Sequence, residues 1–136
     1  MTITNKEYAA RRKDLMSLMQ SNSIAIIASA PEKVRSRDTH YPYKQNVTLS
    51  YLSGFPEPES VMALIPGRPQ GEVILFCRDK DPLRETWDGY REGPSGAVAN
   101  FGANDAFPIS DIDDILPGLL EGKDRLYYAI GKDPDF

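Results

Sequence analysis

The chain has little of what a self-sufficient catalytic site requires. Its 136 residues include one cysteine and one histidine. A lone cysteine excludes an internal disulfide and fits a reducing compartment. With one His, one Cys and no ligand spacing between them, a zinc or dinuclear metal site built from these residues is not expected. Neither a G-x-S-x-G elbow nor a G-x-x-x-x-G-K-[ST] loop occurs, so an activated serine of that type and a phosphate cradle are both missing. Long hydrophobic runs are missing too. No apolar stretch approaches the roughly 18 residues of a membrane span, and the opening MTITNKEYAARRKDL lacks the apolar core of a signal peptide. Charge of one sign does not accumulate either: 16 Lys+Arg stand against 20 Asp+Glu, a net charge of −4. The basic residues are scattered and form no stripe of the kind that follows a phosphate backbone. The expectation is a soluble, cytoplasmic protein with neither nucleic acid nor membrane as a partner.

What is present suits one globular domain. A chain of this length buries roughly two-thirds of its unfolded surface. The 40% apolar content approaches the usual range once the ten glycines are added. Thr4-x-x-Glu7 has capping-box spacing. It predicts a helix over about 5–20, with Tyr8, Leu15, Leu18 and Met19 on its buried face and Arg11, Arg12 and Lys13 in solvent. SIAIIAS, 23–29, is an unbroken apolar run that fits a strand covered on both faces. VTLSYLSGF, 47–55, suits a strand by length and a helical turn by the spacing of Leu49, Leu52 and Phe55; the helical reading is preferred. SVMALIP, 60–66, and GEVILFC, 71–77, flank the turn-forming GRPQ and predict an antiparallel hairpin. Cys77, after VILF, reads as a buried small hydrophobe. Asp81-Pro82 opens a short helix, and Pro94 opens another through GAVANF. A further helix from Ser110 or Asp111 carries Ile112, Ile115, Leu116 and Leu119, with Pro117 and Gly118 weakening its middle. RLYYAIG, 125–131, is the last strand. The fold class is α/β, a mixed sheet flanked by helices.

Two stretches look like sites. RSRDTHYPYKQN, 35–46, gathers cations, a carboxylate, the lone His40, tyrosines around a proline and a Gln-Asn pair without apolar periodicity. Tyr41 and Tyr43 clamping Pro42 in a turn would account for part of it, and His40 in a polar loop reads most simply as solvated. WDGYREG, 87–93, sets an indole beside a tyrosine and an arginine on a glycine-punctuated loop; there the plain alternative is an aromatic covering the core edge. The acids Asp111, Asp113 and Asp114 are explained by a helix N-terminus alone. Composition and pattern stop at an α/β domain without its own catalytic apparatus.

The motifs together resemble the N-terminal domain of the aminopeptidase P family, within the creatinase and prolidase group. Arg35, Ser36, Asp38, Tyr41, Pro42, Tyr43, Gln45 and Asn46 fit R-S-x-D-x-x-Y-P-Y-x-Q-N. Tyr51, Leu52, Gly54 and Phe55 continue it into Glu57, Pro58 and Glu59, and Trp87, Gly89, Arg91 and Gly93 fit W-x-G-x-R-x-G. The likeness covers essentially the whole chain. It departs at Val47-Thr48 and at Leu49, where the family often has an aromatic, and His40 matches no motif position.

The resemblance implies a creatinase/aminopeptidase P N-terminal fold with a ribonuclease H-like motif over 1–136. A C-terminal pita-bread metallopeptidase domain, which would hold two divalent ions, usually manganese, through two Asp, one His and two Glu, is absent from this chain. The full-length enzyme would remove the N-terminal residue from peptides with proline second, by attack of a metal-bridging hydroxide. The N-terminal domain would not be catalytic. It would hold no metal, wall the cleft with Asp38, Tyr41, Trp87 and Arg91, and contact its own catalytic domain, proline-containing peptides and neighbouring protomers of an oligomer such as a tetramer. The alternatives are a stand-alone peptide-binding or assembly module, and the N-terminal domain of a prolidase or creatine hydrolase.

Overall fold

The computed structural model describes residues 3–31 and 43–129. The order is α1 (Asn5–Leu18), β1 (Ser23–Ala28), α2 (Val47–Ser53), β2 (Val61–Leu64), β3 (Val73–Cys77), α3 (Pro82–Asp88), α4 (Gly93–Phe101), β4 (Asp105–Pro108), a 3₁₀ turn (Ile109–Asp111), α5 (Ile112–Leu120) and β5 (Arg125–Ala129). The five strands form one sheet in the order β4-β3-β2-β1-β5. β2 runs antiparallel to both its neighbours, while β4 and β5 add in parallel at the two edges. The expected mixed α/β sheet and its central hairpin are therefore present.

Period-two alternation divides the core between the two faces of the sheet. Ala25, Ile27, Met62, Leu64, Val73, Leu75 and Cys77 face Leu49, Leu52 and Phe55 from α2 and its exit, and Ala97 from α4. Ile24, Ile26, Ala63, Ile65, Ile74 and Phe76 face the other way, under Ile112, Ile115, Leu116 and Leu119 of α5. Both faces are thus covered by the chain's own helices. Leu49, the departure from the family pattern, is fully buried.

Local signals start the helices. The Thr4 side chain accepts from Glu7 N at 3.2 Å, Asn46 Oδ1 from Leu49 N at 3.0 Å and Asp81 Oδ1 from Arg84 N at 3.1 Å, each satisfying a first-turn amide that lacks a partner within its helix. α5 continues through Pro117. The carbonyl left without its donor is that of Asp113, which lies with Pro117 on the exposed side, open to solvent.

Three features depart from expectation. Leu18 is 82% exposed; Leu15 and Met19 pack on the core as expected, and Met16 joins them. Arg12, expected in solvent, is 3% exposed. It belongs to the stripe 12, 15, 16, 19, so the buried face of α1 is rotated from the expected one. Its Nη1 donates to Leu52 O at 2.8 Å in the last turn of α2. A Cβ built on Gly102, which ends α4, would lie 3.2 Å from its Nη2. Two helix C-termini bring unpaired carbonyls and partial negative charge to that point, which favours a guanidinium there. Burial lowers the Arg12 pKa from its ordinary value. The third departure is β4, which was not expected. It is a short edge strand, and Pro108 at its end is tolerated because an edge needs hydrogen bonds on one side only.

Gly54 ends α2 at φ +69°, and an added Cβ would lie 2.6 Å from Tyr8 Cζ. Gly54→Ala should therefore destabilise the domain by about 1–2 kcal/mol from the left-handed backbone alone, with displacement of the Tyr8 ring adding to it. Urea unfolding should show a lower midpoint at unchanged slope.

Candidate functional site

The first polar block is described from Tyr43 onward. Asp38 and Tyr41, two of the four expected cleft-wall residues, lie outside the described residues, as do Arg35, Ser36, His40 and Pro42. The tail of the block is a hub. Gln45 Oε1 accepts from Ala30 N at 3.2 Å and Asn46 N at 2.8 Å, and Gln45 Nε2 donates to Phe55 O at 3.0 Å and Glu57 O at 2.8 Å. The Tyr43 hydroxyl donates to Ala30 O at 2.6 Å and lies 2.9 Å from Gln45 Oε1. One amide side chain therefore joins the exit of β1, the start of α2 and the loop that follows α2.

The second block begins where β3 ends. Arg78 Nη2 reaches Glu57 Oε1 at 3.3 Å. Glu57, 7% exposed, accepts Glu92 N on its other oxygen at 2.7 Å. The two blocks, far apart in sequence, therefore meet on this residue, Gln45 on its carbonyl and Glu92 on its carboxylate. α3 follows with Asp81 as cap and Pro82 at its first turn. Its Glu85 takes Lys80 Nζ at 3.0 Å and Arg91 N at 2.8 Å on Oε1, and Asp81 N at 3.2 Å on Oε2. Gly89, at φ +96°, turns the chain out of α3. Gly93 at φ +71° leaves no room for a side chain, because an added Cβ would lie 2.9 Å from Lys80 Cγ.

α3 and the loop after it present their apolar groups outward. Trp87 is 83% exposed, with Leu83 at 76% and Tyr90 at 65%. The indole does not cover a core edge, which removes that reading of the W-x-G-x-R-x-G block. Lys80 Nζ stands 4.0 Å from the centroid of the Tyr90 ring, in cation–π range. Arg91 does not share the exposure of Trp87: its Nη1 reaches Asp79 O at 3.4 Å and its buried Nε has no hydrogen-bond partner among the described residues. Glu85, Lys80 and Arg78 were not anticipated as site residues. A signal for Glu85 was available, a carboxylate four residues after a capping Asp-Pro, where it can reach back to the cap amide.

Electrostatics follow this geometry. The Arg91 amide, then the Lys80 ammonium, hold the Glu85 carboxyl below its ordinary range, and Glu85 raises Lys80 in return. Cys77 lies at the base of the site, fully buried. Burial first, and then the charges of Glu57 and Asp79, push its thiol up to about 12. The thiolate that a nucleophile or soft-metal ligand needs is therefore suppressed. Among the described residues no three His, Cys, Asp or Glu side chains are placed to hold a metal ion, and no helix is long and apolar enough to cross a membrane. The arrangement is suited to presenting an aromatic surface from a fixed backbone.

The family model for the aminopeptidase P N-terminal domain matches residues 8–127. The chain is 40% identical over 131 residues to the Xaa-Pro aminopeptidase of Escherichia coli (strain K12), covering 96% of this chain and 30% of that protein. Against Homo sapiens Xaa-Pro aminopeptidase 3 it is 34% identical, covering 93% and 27%. It superposes on the Pseudomonas aeruginosa aminopeptidase PepP with a TM-score of 0.92 at 61% identity, covering 98% of this chain and 30% of that one. Zinc-substituted E. coli aminopeptidase P in complex with product gives 0.90 at 38% identity, covering 99% and 31%. The chain thus spans about 30% of the length of such relatives.

Two measurements check the electrostatics. Carbon-13 NMR should place the Glu85 titration below that of an ordinary glutamate. Lys80→Met should move it only part of the way back, since the Arg91 amide is the larger cause. With a lowered folded-state pKa, the stabilisation from Glu85 is present above the unfolded-state value and lost as pH falls through the folded one. Separately, Cys77 should resist a thiol reagent near pH 8 in the native protein and react once per chain in denaturant.

Proposed function

The chain belongs to the family of aminopeptidase P N-terminal domains, and from that premise we propose that it is the non-catalytic N-terminal portion, residues 1–136, of a cytoplasmic Xaa-Pro aminopeptidase. The complete enzyme would carry a C-terminal metallopeptidase domain and release the residue that precedes proline at a peptide N-terminus. Two divalent ions, manganese in this reading, would supply the Lewis acid and the activated water. The described residues do not fit such ions, and their ligands belong to that other domain. The cytoplasmic reading is supported by a single free cysteine, which suits a reducing compartment.

One observation carries this division of labour: Trp87 is 83% exposed in the last turn of α3, a helix whose cap and following loop are both fastened. A large exposed aromatic on a fastened segment marks a surface that something else completes. A pyrrolidine ring offers an apolar face that an indole covers well, and the free ammonium of a substrate suits a carboxylate such as Asp38. In this reading Trp87, with Asp38, Tyr41 and Arg91, walls a cleft whose reacting centre lies on the catalytic domain, its own or that of a neighbouring protomer in a homo-oligomer such as a tetramer. Leu83 and Tyr90 extend the apolar surface beside it.

In the complete enzyme, Trp87→Ala and Asp38→Asn should each lower kcat/KM for Xaa-Pro peptides by roughly tenfold or more, the equivalent of about 1.4 kcal/mol of transition-state stabilisation, while metal content stays at the wild-type value. Unchanged kinetics in both variants would assign these residues to structure alone.

A further inference from the structure

α3 has an unusual mode of attachment. It is seven residues long, too short to persist on its own propensity, and it contributes nothing to either core cluster. Of its described side chains, only Glu85 is not exposed; that side chain is 13% exposed. The group that turns α3 toward the protein is therefore a carboxylate. It collects donors from three places: the Lys80 ammonium before the helix, the Asp81 amide at its cap and the Arg91 amide on the returning loop. The next amide along, that of Glu92, is held by Glu57 at 2.7 Å. Two successive amides of the loop are thus gripped by two carboxylates that approach from different parts of the fold.

We infer that Glu85 is a positioning residue for Trp87: by fastening both ends of α3 and the loop after it, it sets where the indole stands, with Glu57 as the second anchor. This rests on the reading of Trp87 as a cleft wall. The carboxylate touches neither a reacting atom nor, by its burial, a substrate. It acts through the backbone that carries the aromatic. Directional bonds suit this task because α3 has no apolar face to seat it, and side chains that packed inward would draw Trp87 and Leu83 out of solvent.

Trp87 is the only tryptophan in the chain, so its fluorescence reports the end of α3 directly. In the 136-residue chain, whose sheet is covered on both faces by its own helices, Glu85→Ala should lower Trp87 anisotropy while the circular dichroism of the sheet is kept. Glu85→Gln keeps one acceptor oxygen for the Arg91 amide and should restore part of the loss; it also serves if the alanine variant folds poorly. In the complete enzyme, Glu85→Ala should reduce kcat/KM by roughly ten- to a hundredfold, the range for a group misplaced by about an ångström. The Glu85→Ala/Trp87→Ala double variant should be no worse than Trp87→Ala, since the two act as one unit. Unchanged anisotropy in both Glu85 variants would overturn the positioning role, and so would additive kinetic losses. If Trp87→Ala leaves kinetics untouched, the cleft-wall reading fails, and the anisotropy arm still decides whether Glu85 sets the indole.

Discussion

The carboxylate of Glu57 turns one oxygen to the Arg78 guanidinium at the end of β3 and the other to the Glu92 amide at the entry to α4, and the surroundings of the candidate site depend on both contacts. A buried ionised group is tolerated only where charge and hydrogen bonds replace its lost water. Glu57 meets that condition by reaching out of its own loop in two directions, while its backbone carbonyl takes Gln45 Nε2 and the Ser60 hydroxyl. The residue therefore belongs at once to the sheet, to the first polar block and to the second. None of the partners is independent of the others. Among the described residues, Arg78 already has a buried Nε without a hydrogen-bond partner, and Glu57 is the acid paired with its guanidinium. Networks of this kind are stable as wholes and costly in part.

Seen from this carboxylate, the polar density of residues 35–46 has a partial physical account. Gln45 uses both ends of its amide, and every group it bonds is a main-chain atom or the Tyr43 hydroxyl. It has no spare polarity for a ligand. Its work is to hold three chain segments that would otherwise bury unpaired backbone groups. Asn46 is occupied likewise as the cap of α2. The end of the block that adjoins α2 is framework, and in the proposed reading recognition is left to other residues, Trp87 among them.

What could be read in the sequence divides along the same line. Strands announced themselves because runs such as IAII and VILF are buried on both faces, and the caps Thr4 and Asp81 because a side-chain oxygen at a fixed offset acts locally. The resemblance carried Glu57 and Trp87 as motif positions without saying what either one touches. Arg12 was misread because a guanidinium among arginines and lysines looks solvated; only the meeting of the α2 and α4 C-termini makes its burial favourable. Leu18 was misplaced with it, since both errors are one rotation of the same helix. β4 escaped because Asp-Ala-Phe-Pro has neither length nor alternation, and its pairing with β3 arises from the crossover through α4. Glu85 escaped for a related reason: its bond to the Asp81 cap amide has a local signal, but its bond to the Arg91 amide depends on how the following loop returns, which no residue pattern displays.

The fastening of α3 and the loop after it bears on what so exposed an aromatic would gain in the proposed role. A side chain recruited from a mobile loop must be ordered on binding, and ordering each residue of backbone opposes association by roughly 1–2 kcal/mol. Here the loop amides at Arg91 and Glu92 are already held by carboxylates that are themselves held, so closing on a ligand would order little more than the indole's two side-chain torsions. Ordering before binding improves recognition in proportion to the disorder it removes. The same fastening sets a limit, because a loop pinned through its backbone cannot follow a ligand of another shape. A surface built this way favours one rigid partner over many flexible ones. Under the proposed cleft-wall role, a pyrrolidine ring, fixed in its own torsion, would be such a partner, and the stiffness of the segment and the stiffness of proline would be matched demands.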